Sequence, residues 1–208
     1  MISQNGWPVI DAGQLAPVIV RGVGMAPGVR HNLAPLFQDL VEHLAELEPP
    51  HEGWCWGWAV RPVRGQTSGY SNHASGSAID YNAPKHPRQA KDRYAGWATS
   101  QVRTIHHLLA TRYQGVIRWG ADYRPPSTPD PMHFEVAAGP DAVARLLHHL
   151  QEVDDVTKQE LVEALRAAFS PGYDTVNEWA AQLNQVRRDQ AALIERLEQA
   201  GVIAADPK

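Results

Sequence analysis

Two short polar motifs constrain the fold of this 208-residue chain more than any other feature. The first is S-N-H-A-S-G-S-A-I-D, from Ser71 to Asp80, and the second is D-P-M-H-F-E, from Asp130 to Glu135. Each combines a histidine with carboxylates, the residue types that bind a catalytic zinc ion. The small residues after His73 allow a tight turn in which the ligands of the first motif converge. The fold must therefore bring together two motifs that lie about fifty residues apart.

The second motif offers a third zinc ligand and two candidate general bases. His133 is the natural ligand, and the alternation of a strand places His133 and Glu135 on one face. Zinc-assisted hydrolysis also needs a side chain that moves protons. Asp130, which Pro131 holds in an extended conformation, and Glu135 both fit this role. Glu135 is alternatively placed to orient a ligand from behind.

Composition narrows the class of protein. Hydrophobic residues make up 43% and charged residues 20%, as in soluble globular proteins. No apolar run approaches the roughly 20 residues of a membrane-spanning helix, so we expect no membrane partner. The net charge of −4 and the lack of a dense basic patch argue against nucleic acid. The start of the chain lacks a basic region followed by an apolar one, and Cys55 is the single cysteine. We therefore expect synthesis in the cytoplasm without a signal peptide.

Charge divides the chain into two parts. Residues 1–151 carry 13 basic and 12 acidic side chains, whereas residues 152–208 carry 6 basic and 11 acidic ones. We predict a zinc-binding domain over 1–151 and an acidic helical segment over 152–208. Apolar residues recur at steps of three and four from 176 to 200, which predicts a short coiled coil or helical hairpin. Self-association through residues 174–200, docking on the first domain and binding of another partner all remain open.

The predicted elements are mixed and the strands are short, which favours an α+β fold with a central antiparallel sheet flanked by helices. Strands are predicted at 54–60, 77–81, 115–119 and 132–137, and helices at 33–48, 91–113, 139–150 and 156–169. In W-C-W-G-W-A-V, from Trp54 to Val60, the tryptophans share one face and small residues share the other. We expect those tryptophans in the core, with ligand contact as the alternative.

The paired motifs resemble a known family. The first is similar to the SxHxxGxAxD signature of the D-alanyl-D-alanine carboxypeptidase/dipeptidase and L-alanyl-D-glutamate peptidase family of zinc enzymes. The second motif also resembles that family. So do two supporting segments, W-A-V-R-P-V-R-G before the first motif and W-G-A-D-Y before the second. The resemblance covers roughly residues 25–150 and implies a small α+β zinc-peptidase domain with a central antiparallel sheet.

The resemblance implies a role for each candidate residue. One zinc ion would be bound by three ligands, His73, Asp80 and His133. Asp130 takes the position of the catalytic base, where many members have glutamate. Arg61 matches the arginine that binds or polarises the substrate carbonyl, and Arg64 is close enough to take that role instead. The remaining assignments are substrate positioning for Ser71 and Ser75 and support of the ligands for Glu135.

The implied substrate is bacterial peptidoglycan, cut at a stem-peptide amide bond next to a D-residue. The chain looks like a bacteriophage endolysin that reaches the cell wall after release by a separate membrane pore and acts in host lysis. Two alternatives remain open. One is a D-alanyl-D-alanine carboxypeptidase, and the other is a non-catalytic wall-binding or interaction module that keeps the metal as structure.

Overall fold

The computed structural model describes residues 1–63 and 69–168, together with 185 and 188. The chain divides into two compact units, Met1–Leu147 and His148–Lys208. The predicted domain boundary near residue 151 stays a prediction. Apart from 185 and 188, the predicted coiled coil at 174–200 lies outside the described residues, as does Arg64.

The first unit opens with four short strands, which one helix follows. The strands are β1 (Leu15–Ala16), β2 (Ile19–Val20), β3 (Val23–Gly24) and β4 (Val29–Arg30). β1 pairs with β4 and β2 pairs with β3, both antiparallel. Helix α1 (Ala34–Leu47) follows, close to the predicted bounds of 33–48. Its apolar stripe is buried, as helical spacing predicts, through Leu36, Phe37, Leu40, Val41 and Leu44.

A three-stranded antiparallel sheet forms the centre of this unit. Its strands are β5 (Ala78–Asp80), β6 (Ile117–Trp119) and β7 (His133–Val136), in the order β5-β7-β6. One face is apolar, and there the rings of Trp119 and Phe134 stack with centroids 5.7 Å apart. The other face carries polar side chains from both motifs. The predicted α+β class with an antiparallel sheet is confirmed.

Two of the helix predictions need correction. Helix α2 spans Thr99–Thr111 and does not begin at 91, because Ala98 is extended with ψ 153°. Helix α3 runs from Pro140 to Ala168 without interruption, whereas two separate helices were predicted there. No glycine or proline lies between 141 and 168 to end the first of them. No helix among the described residues is long and apolar enough to cross a membrane.

The predicted strand at 54–60 and its inward tryptophans are also wrong. The segment forms only isolated bridges, with Trp56 opposite Asp80 and Ala26. Trp54 and Trp56 are exposed, whereas Cys55 on the other face is buried. The reason is the close approach of residues 26–28, since a Cβ at Gly57 would lie 2.1 Å from the carbonyl oxygen of Gly28. The face of small residues therefore packs inward and the rings of Trp54 and Trp56 are left outside, whereas Trp58 is half-buried and donates to the Ala74 carbonyl oxygen.

Candidate metal centre

The central sheet brings together ligands from the two motifs. Asp80 on β5 is the direct cross-strand partner of His133 on β7. Side chains of paired residues project from the same face of a sheet, so the carboxylate and the imidazole become neighbours. The next pair on this face joins Ala78 to Glu135. Strand register thus places His133 beside Asp80 and Glu135 one step further along.

His73 reaches the same point from a short loop before β5. It lies in a 3-10 turn, Asn72–Ser75, where the Ser71 hydroxyl accepts a hydrogen bond from the His73 amide at 3.3 Å. The turn ends at Gly76, whose φ of 64° is a left-handed conformation. A Cβ at Gly76 would also lie 2.5 Å from the amide nitrogen of Arg30. This glycine therefore allows the chain to reverse from the turn into β5.

Three side-chain atoms converge at the centre. His73 Nε2 lies 3.2 Å from both Asp80 Oδ1 and His133 Nδ1, and the last two atoms are 2.9 Å apart. The outer nitrogens face acceptors, the Gly57 carbonyl oxygen at 2.6 Å for His73 and the Glu135 carboxylate at 3.2 Å for His133. A carbonyl or carboxylate oxygen only accepts, so each outer nitrogen donates. In neutral rings the two inner nitrogens are then acceptors, like Asp80.

Three acceptors at these distances fit a bound cation. Tetrahedral zinc with bond lengths of about 2.0–2.1 Å would separate its ligand atoms by about 3.3 Å, close to the observed spacing. The three residues are only 2–8% exposed, so water does little to relieve the mutual repulsion of their acceptor atoms. Burial disfavours protonation of His133, yet hydrogen bonds to Asp80 and Glu135 raise its pKa to about 10. The same negative surroundings favour a divalent ion.

Glu135 supports the centre from behind His133. Its buried carboxylate accepts from His133 Nε2, from the Asn72 amide and from Arg118 Nε at 2.8 Å. Burial acts to raise the pKa of Glu135, but the hydrogen bond with His133 and the nearby Arg118 charge hold it well below its ordinary value. An ionised carboxylate on the outer nitrogen fixes the ring of a metal-binding histidine. This placement suits the support of a ligand, and Asp130 is the other candidate base.

The centre lies in a cleft of about 910 Å³ that Asp130 also lines. Oδ1 of Asp130 is buried without a hydrogen-bond partner among the described residues. Its other oxygen, Oδ2, lies 3.5 Å from Arg88 Nε. Burial raises the pKa of Asp130, although the neighbouring His133 acts in the opposite direction. A carboxylate in the wall of the cleft can accept a proton from a reacting group.

The remaining predicted residues differ in their positions. Arg61 lines the cleft, and its Nη2 lies 3.9 Å from Asp80 Oδ2. Ser71 also lines the cleft and caps the His73 turn. Ser75 is fully buried behind that turn, where its hydroxyl donates to the Asn72 carbonyl at 2.9 Å. The position of Ser75 therefore favours a structural role. Arg64 is outside the described residues.

The sequence motifs did not reveal four further contacts of the centre. Two of them are Asn72 and Arg118, which donate to Glu135. The others are the Gly57 carbonyl, which orients His73, and Arg88, which lies beside Asp130. Asn72 directly precedes His73 in the first motif, and this position next to a candidate ligand is a signal in the sequence. The other three depend on pairings between distant segments.

The fold and the site together define a class, that of small α+β domains with a two-histidine, one-aspartate centre in an open cleft. Residues 64–136 match the family model described as D-alanyl-D-alanine carboxypeptidase. That range contains both motifs and all three cluster residues. The match supports a carboxypeptidase-like peptidase. Searches of curated proteins and of solved structures found no match.

Proposed function

We propose that the protein is a zinc-dependent peptidoglycan peptidase that cuts a stem-peptide amide bond next to a D-residue. The observation that carries this proposal is the convergence of His73 Nε2, His133 Nδ1 and Asp80 Oδ1 in one cleft. The family-model match supports the peptidase part. His and Asp ligands suit zinc, and three protein ligands leave a position open, as in catalytic zinc sites.

Each of these residues would have a separate role in the reaction. His73, Asp80 and His133 would hold a zinc ion, which would supply Lewis acidity toward the scissile carbonyl. Asp130 accepts a proton from the attacking water and returns it to the leaving amine. Arg61 lies on the same cleft wall and stabilises the negative charge that develops on the carbonyl oxygen. Glu135 keeps His133 in the ligating tautomer.

The finer part of the proposal is action as a bacteriophage endolysin, in which the enzyme reaches the wall through a separate membrane pore. It rests on the resemblance of the paired motifs. Co-expression in a bacterium with and without a pore-forming protein tests it. Lysis only in the presence of both proteins is expected, and intact cells despite an active enzyme would contradict it.

A D-alanyl-D-alanine carboxypeptidase is the second candidate, which the description of the family model favours. Mass spectrometry of products separates the two activities. An endopeptidase releases peptide fragments from intact cross-linked wall, whereas a carboxypeptidase releases free D-alanine from stem-peptide ends. Absence of any new peptide or amino acid with zinc bound would refute both and favour the non-catalytic module.

A further inference from the structure

An exposed tryptophan, Trp56, lies beside the candidate metal centre. Trp56 and Asp80 exchange two backbone hydrogen bonds, of 2.9 and 2.7 Å. The side chains of such a pair project from the same face, so the indole lies on the side of the sheet that carries the centre. Trp56 lines the cleft and is 44% exposed.

The other tryptophans of the cleft and core are tied into the fold. The indole N–H groups of Trp7, Trp58, Trp97 and Trp119 each donate to a backbone carbonyl oxygen. Trp54 is 37% exposed but packs against the His51 ring, with centroids 4.5 Å apart. Within the described part of the chain, the Trp56 indole has neither a hydrogen bond nor a ring contact. Its N–H and the exposed part of its apolar surface are free to meet a ligand.

The backbone holds this ring outward. Cys55 is buried on the opposite face, and Gly57 passes so close to Gly28 that no larger residue fits there. The neighbouring Gly57 carbonyl orients His73. The backbone of Trp56 thus belongs to the segment that also orients His73, and this segment sets the face from which the ring projects.

We propose that Trp56 forms a saccharide subsite on which a sugar of the glycan strand stacks while the attached stem peptide lies across the centre. This inference rests on the proposed function, because the glycan is part of that substrate. A pyranose ring has an apolar C–H face and a polar rim, which complement the flat indole and its single N–H edge. The subsite would favour wall-linked peptide over free peptide.

Binding of glycan strands stripped of their stem peptides tests the subsite without any cleavage. Calorimetry on the full chain loaded with zinc is expected to show binding that Trp56→Ala weakens at least about tenfold. Trp56→Tyr should stay within about threefold, because an aromatic face remains. Trp54→Ala is the matched control, an exposed tryptophan two residues away that does not line the cleft, and should bind as the unchanged protein does. Zinc stoichiometry verifies the fold of each variant.

Three results would overturn the inference. They are absence of glycan binding by the unchanged protein, unchanged binding by Trp56→Ala, and a loss of binding in Trp54→Ala equal to that in Trp56→Ala. Failure of the proposed function is a separate result, since it would appear as glycan binding without hydrolysis of intact wall. Hydrolysis without glycan binding would leave the peptidase proposal standing and remove the subsite.

Discussion

Removal of the Glu135 carboxylate should weaken metal binding although Glu135 is not a ligand. The carboxylate fixes His133 through Nε2 and has Asn72 and Arg118 as its other partners. Loss of such an outer partner lowers metal affinity by about 10–100-fold, or about 1.4–2.7 kcal/mol. Glu135→Gln should lose metal affinity by the smaller factor, because its amide oxygen can still accept a hydrogen bond from His133 Nε2. Glu135→Ala should lose metal affinity by the larger factor.

A competition titration with a chromogenic zinc chelator measures these dissociation constants. Arg118→Ala is the matched control, because it removes a partner of Glu135 and leaves the bond to His133. The Arg118 side chain is half-exposed, so we expect a change in zinc affinity within about threefold. Urea unfolding establishes that each variant is folded. Unchanged zinc affinity in a folded Glu135→Ala variant would refute the reasoning.

Three further predictions concern the base, the helix packing and the ligand turn. Asp130→Asn should retain zinc and lose turnover by about 10²–10⁴-fold in a peptidoglycan assay; near-normal turnover would remove Asp130 from the base role. Burial acts to raise the pKa of Asp39, but hydrogen bonds with Arg112 and Tyr113 hold that pKa below its ordinary value. The ionised carboxylate therefore stabilises the fold above about pH 4, and this stabilisation is lost as the pH falls further. Asp39→Asn should cost about 1–3 kcal/mol at pH 7 by urea unfolding and progressively less below pH 4, and a constant difference would be the contrary result. Gly76→Ala should destabilise the protein by at least about 2 kcal/mol in the same assay, and a stable variant would show that the left-handed turn is not required.

The ligand set could be predicted because its signal is local and chemical. His73 and Asp80 are separated by small residues that only a tight turn explains, and His133 has the spacing of a strand residue. The structure brings all three together within hydrogen-bond distance. Their convergence required one further fact, the direct pairing of Asp80 with His133, which depends on the register between strands distant in sequence.

The tryptophan segment shows where sequence reasoning failed. Alternation correctly separated the large residues from the small ones, but period two does not say which face is buried. The close approach of Gly28 to Gly57 decides that question and turns Trp56 outward. Hydrophobicity alone favoured the opposite arrangement. Arg88 beside Asp130 was missed for a similar reason, since a contact between two loops leaves no periodic signal.

Zinc stoichiometry is the most direct test of the central claim. Purified protein loaded with zinc and dialysed should hold one ion per chain by elemental mass spectrometry, and His73→Ala, Asp80→Ala and His133→Ala should each lose it. His106→Ala is the matched control, because His106 pairs with Asp122 outside the centre. We predict one zinc ion in the control and at most a small fraction in the three ligand variants. Full stoichiometry in a folded His73→Ala variant, or no zinc in the unchanged protein, would contradict the account.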